Sequence, residues 1–122
     1  MATRQEPGEH ASGPGHRPEI TEIVAEIVTG LPGVRPGRMF GFPAFYAGDK
    51  LFACVYGEGL SLKLPLATVE AIVGGPGITR FEPYGRKMRE WALIVRAEAA
   101  DYRDESDLIL AAARYVGELA TH

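Results

Sequence analysis

Arg80, Arg86, Lys87 and Arg89 place four cations within ten residues, opposed by Glu82 and Glu90, while Arg35 and Arg38 lie further upstream. A guanidinium presents a fixed fork of donors that matches carboxylate and phosphate oxygens, so the chemistry expected of such a cluster is anion recognition. These four residues form the candidate partner-binding set. The plainer reading is an exposed charged hairpin that aids solubility. Alternation along 86–91 would put Lys87, Arg89 and Trp91 on one side and Arg86, Met88 and Glu90 on the other, leaving Arg86 to solvent or to Glu90. Nucleic-acid recognition calls for exposed aromatics or a reading helix beside the cations. Tyr84 is the only nearby candidate and the helical segments are acidic or apolar, so nucleic acid is the less favoured partner.

Other chemistry-bearing residues read as structural. Cys54 lies in an apolar run, where a cysteine usually packs as a small hydrophobe. A thiol nucleophile needs a nearby base, and the three histidines, His10, His16 and His122, all fall toward the chain ends. Gly74-Gly75-Pro76-Gly77 follows a helical segment, as a helix cap does, whereas a phosphate-cradling loop precedes one. Asp101, Asp104 and Glu105 lack metal-ligand spacing and suit the start of a helix, where the dipole favours negative charge. No catalytic residue, metal site or cofactor is expected.

The framework is one domain of 122 residues with ordinary apolar (46%) and charged (24%) fractions. The net charge is −3, so the chain as a whole is no basic nucleic-acid binder. A single cysteine excludes an internal disulfide, and no apolar stretch suggests a signal peptide or membrane span. A cytoplasmic protein is expected. Residues 1–17 are polar and rich in Gly and Pro, and read as a disordered tail before a domain over 18–120.

Within that domain, Ile20, Ile23, Val24, Ile27 and Val28 repeat at helical spacing and stop at Gly30 and Pro32. The segment 33–37 reads as a loop. Residues 38–47 read as one strand with a bulge or an edge position at Pro43, 51–56 as a second strand and 60–64 as a third. Pro65 opens a short helix marked by Leu66, Val69 and Val73. Strands at 81–84 and 91–95 follow, then a helix from Asp101 with Leu108, Ile109, Ala112, Val116 and Leu119 as its stripe. The order α-β-β-β-α-β-β-α implies an α+β fold: two layers, a five-stranded antiparallel sheet, helices on one face.

Arg38-Met39-Phe40-Gly41, then Leu51-Phe52-Ala53, Leu60-Ser61-Leu62-Lys63, and later Gly85-Arg86, Met88 and Trp91, resemble in order and spacing the N-terminal domain of the TfoX/Sxy competence-regulator family. The resemblance covers roughly residues 34–95. It implies the two-layer α+β fold and a regulatory or binding role, with no active site to carry over. Gly41-Phe42-Pro43 departs from the more usual Gly-Gly after Met-Phe, and the helical second domain of the full-length regulators is absent from this sequence.

Strict alternation puts apolar side chains on both faces of the first two strands, yet three helical stripes suffice for one face. Phe40, Phe42, Phe52 and Tyr56 would then form an exposed apolar patch, the mark of an interaction surface, which a homodimer would cover. The alternative is a third helix crossing to the other side. The sequence therefore reads as a non-catalytic binding module, homodimeric, acting on an unidentified protein or anionic partner. The rival is a small-molecule-binding protein or enzyme with a pocket near Trp91, Met88 and Cys54.

Overall fold

The computed structural model describes residues 15–120. Its elements are α1 (Pro18–Val28), β1 (Val34–Met39), β2 (Phe42–Ala47), β3 (Lys50–Tyr56), β4 (Gly59–Lys63), α2 (Leu66–Ile72), β5 (Ile78–Arg80), β6 (Trp91–Ile94) and α3 (Ser106–Ala120). A 3-10 turn spans Pro83–Gly85, and a 3-10 segment, Ala99–Glu105, leads into α3. The strand pairs are antiparallel, in the order β1-β2-β3-β4-β6-β5. The fold is α+β, and the expected strand count is corrected from five to six among the described residues. Among those residues no helix is long and apolar enough to cross a membrane.

The extra strand has a physical origin. Residues 34–39, expected to begin as a loop, form β1 at the sheet edge, where Pro36 can lack its N–H at no cost to a neighbour. The run read as one bulged strand over 38–47 is instead a hairpin: Met39 pairs with Phe42, and Phe40-Gly41 is the two-residue connection. Both connecting residues have positive φ, 52° and 84°. That is the pattern of a type I′ turn, whose twist matches that of the strands it joins. Similarly, β5 occupies 78–80, ahead of the strand expected at 81–84, and Pro83 sits in a 3-10 turn.

The main core lies between the helices and one sheet face. Ile20, Ile23, Val24 and Val28 of α1, Val69 of α2, and Ile109, Ala112 and Val116 of α3 join Phe45, Ala53, Val55, Leu60, Leu62 and Ile94 in one buried cluster. Phe52 belongs to it too. The β2–β3 register slips between Phe45 and Tyr46, which face Ala53 and Leu51 respectively, so Phe52 is the extra residue of a β-bulge. The bulge breaks alternation and lets Phe52 and Ala53 both enter the same core. At the start of β4, Gly59 is required by proximity: a Cβ there would run into the Ile94 carbonyl of β6.

Candidate functional site

The second sheet face carries its own buried layer. Ala44, Cys54, Ser61 and Leu93 form one cross-strand row, and the first three are almost wholly buried. The Ser61 hydroxyl donates to the Cys54 carbonyl at 3.0 Å, so this buried polar group is satisfied. Burial pushes the Cys54 thiol up to about 12, which leaves it protonated and unreactive at neutral pH. The cysteine is thus placed as core.

The cover of this face comes from the chain itself. The segment 81–91 is pinned at its neck, where the Phe81 amide donates to the Trp91 carbonyl (3.1 Å) and the Met88 amide to the Phe81 carbonyl (3.3 Å). From it, Phe81 stacks edge-on to Tyr56 (5.1 Å between ring centres) and tilts against Trp91 (5.9 Å). Tyr56 also packs on Phe42 (4.7 Å) and Tyr84 (6.3 Å), and His16 reaches Phe42 from the other side (6.3 Å). Burial, then the nearby Tyr84, raises the Tyr56 phenol above its ordinary range. Gly15 and Arg17 are tied down as well. The Gly57 amide donates to the Gly15 carbonyl, and the Arg17 guanidinium donates to the carbonyls of Glu58, Arg96 and Ala97. The end of the expected tail is therefore held against the body, while residues 1–14, with His10, and His122 lie outside the described residues.

The four residues expected on one apolar patch are consequently split. Phe52 is fully buried against the helices, Phe42 is buried under the aromatic cover, Tyr56 is half-buried, and Phe40 alone of the four is exposed. Phe40 meets Tyr84 edge-to-face at 6.1 Å. These two are the most exposed large hydrophobic side chains described, at 71% and 64%. They are also the only non-glycine residues with positive φ among the described residues.

The Phe40–Tyr84 contact stands at the mouth of a cleft of about 890 Å³ between the β1–β2 turn and the 81–90 loop. Met39, Leu66, Met88 and Trp91 give it an apolar lining, and Lys63, Arg86, Lys87 and Arg89 bring positive charge to it. Glu90 is already engaged, 3.9 Å from the Lys63 ammonium and accepting the Tyr115 hydroxyl at 3.1 Å. Arg86, Lys87 and Arg89 are exposed and form no ion pair among the described residues.

Of the candidate cations, the structure gathers Arg86, Lys87 and Arg89 and leaves Arg80 out. Arg80 points toward α2, 3.9 Å from the Glu70 carboxylate, and donates to the Arg89 carbonyl (3.2 Å). The alternation expected along 86–91 does not apply, because residues 86–90 are not strand and β6 starts only at Trp91. The expected pocket near Trp91 and Met88 exists, but Cys54 does not line it. Lys63, Met39 and Phe40 are cleft residues that the sequence did not associate with the basic segment: Lys63 comes there by pairing with Trp91, and Met39 and Phe40 from the end of β1 and its turn, whose positive φ at Phe40 no sequence signal marks. Among the described residues no three His, Cys, Asp or Glu side chains gather as metal ligands would. Searches against family models, curated proteins and solved structures find no match to this chain.

Proposed function

We propose that this chain is a non-catalytic binding domain, of the kind its resemblance to the competence-regulator N-terminal domain implies, and that it engages an anionic partner through the cleft. The observation that carries the reading is the pairing of strain with exposure. Phe40 and Tyr84 hold left-handed backbone and present two aromatic rings to solvent at the cleft mouth. Such backbone costs a bulky residue on the order of 1–3 kcal/mol. Neither ring gains the burial that would offset that strain in a core. Left-handed aromatics at a cleft mouth are better explained by a ligand than by folding.

The test uses reporters already in place. The chain has one tryptophan, Trp91, and three methionines, of which Met39 and Met88 line the cleft. Small carboxylates, organic phosphates and acidic peptides are titrated while Trp91 emission and the methionine methyl resonances are followed. Anionic members should move Met39 and Met88 together. If the anionic members leave Trp91, Met39 and Met88 unmoved, the cleft is not the binding surface and the proposal is defeated.

A further inference from the structure

We infer that the cleft takes an acidic peptide segment of a partner protein, with a bulky apolar side chain seated among Met39, Met88 and Trp91 and flanking carboxylates on Arg86, Lys87 and Arg89. This rests on the cleft being the binding surface and adds the class of partner.

Charge comes first. Three exposed cations without ion-pair partners among the described residues stand together on a molecule whose net charge is −3. The patch therefore opposes the sign of the whole chain, the arrangement that steers a charged partner to one place. The spacing favours a partner with distributed charge. Arg86 to Arg89 spans at most about 10 Å of extended backbone, which matches carboxylates carried along a peptide. The arginines can each take a carboxylate through two parallel N–H donors.

The lining supplies the second half. Met39, Leu66, Met88 and Trp91 offer no charge to a ligand, and the two thioethers can re-pack around side chains of different shape. The cleft, about 890 Å³ in volume, is larger than one side chain needs. It lies open beside an exposed loop, as suits a short segment entering from solvent. Single-stranded nucleic acid is the rival occupant, since exposed aromatics beside cations can take a base by stacking. Phe40 and Tyr84 could serve it, whereas Met39, Leu66 and Met88 give the rest of the lining aliphatic and thioether surface that suits an apolar side chain better than a base.

The experiment uses the full chain and four fluorescein-labelled probes. The first is a twelve-residue peptide of alternating Asp and Glu around a central Leu-Phe pair. The second replaces Leu-Phe with Ser-Ser, the third replaces every acid with Lys, and the fourth is a ten-nucleotide oligodeoxythymidylate. The acidic Leu-Phe peptide should bind best, shift Trp91 emission and move the Met39 and Met88 methyl signals. Loss of the Leu-Phe pair should weaken binding about tenfold or more, as burial of one large apolar group implies. Arg86→Glu with Arg89→Glu should weaken it at least about tenfold, with a flatter salt dependence; Lys87→Glu alone serves as the milder variant. The inference falls if the Ser-Ser or Lys peptide binds as tightly, or if charge reversal changes nothing. It also falls if the oligonucleotide alone moves Met39 and Met88, in which case the cleft survives as the site and only the partner class is wrong. If neither peptide nor oligonucleotide moves those signals, the inference fails, and the cleft reading falls with it if the small carboxylates and organic phosphates leave Met39 and Met88 unmoved too.

Discussion

Phe40 occupies the hairpin position where a bulky side chain is least at home. A type I′ turn asks for positive φ at both central residues, which Asn and Gly adopt far more readily than Phe. Phe40→Asn should therefore leave stability unchanged or raise it by up to about 1 kcal/mol in urea unfolding, while binding of the acidic peptide drops several-fold. A large loss of stability would mean that the exposed ring supports the fold. Cys54 makes a different prediction, from its raised thiol. Below its ordinary value of 9.0 the thiol is protonated whether folded or unfolded, and its contribution is fully present. Above that pH the unfolded chain releases the proton, while the folded chain keeps it until about 12. Stability should therefore fall as the pH rises through this window, by up to about 1.4 kcal/mol per pH unit from this group. Tyr102, Tyr56 and Tyr115, all raised chiefly by burial, push the same way at the alkaline end. Denaturation curves between about pH 8 and 10 should show a shallower decline for Cys54→Ala than for the native chain.

At the scale of elements, the helices are legible where their apolar residues keep one period: Ile20, Ile23, Val24 and Val28 are all buried in α1 as spaced, and Ile109, Ala112 and Val116 in α3, whereas Asp101 starts a 3-10 segment instead of α3, Leu119 of the expected stripe is exposed, and Val73 falls just past α2. The strands are legible in part, because their period is short and one irregularity inverts it. Strict alternation puts Phe52 on the wrong face, since a bulge depends on the partner strand and leaves no mark in its own sequence. The β1–β2 turn is hidden for a related reason, as Phe at a left-handed position still reads as strand. The bulge yields a sharp contrast. Phe52→Ala should cost about 3–5 kcal/mol in chemical denaturation, the usual loss for a large buried aromatic. Phe40→Ala should stay within about 0.5 kcal/mol, as an exposed site does. The edges make a further case. Strand β1 carries Pro36, Arg35 and Arg38, and β5 at the other edge has only three residues. Such features discourage strand-to-strand pairing between molecules. Pro36→Val should leave the fold intact and increase aggregation on heating, followed by light scattering.

For the whole molecule, the second sheet face finds cover inside one chain, where Phe81 of the 81–91 segment is buried against the sheet residues Tyr56 and Trp91. The homodimer expected from the sequence rests on an uncovered face, and that argument no longer applies; a second copy would find the Phe40–Tyr84 rim to bury. The sequence does carry the cations and Trp91 of the cleft, because Arg86, Lys87, Arg89 and Trp91 are neighbours in the chain. It does not carry Met39, Phe40 or Lys63, which arrive from β1, its turn and β4 by long-range pairing. Arg17 escapes notice similarly, since its three carbonyl partners lie 41, 79 and 80 residues away. This side chain is half-buried. Arg17→Ala should therefore cost about 1–2 kcal/mol in urea unfolding, less than the loss of a fully buried charged hydrogen bond.

The inward position of the sole cysteine makes the 81–91 cover a measurable clock. Cys54 sits on the face that this cover closes and is 0% exposed. A thiol reagent can reach it only in molecules where the cover has swung away or the sheet has come apart. At low denaturant the labelling rate should count the first kind of event, and near the unfolding midpoint the second. A ligand that bridges the β1–β2 turn and the loop would hold the cover shut, and labelling should slow in proportion to its occupancy. The molecule would then report its own binding without an attached probe, through the waiting time of one sulfur atom.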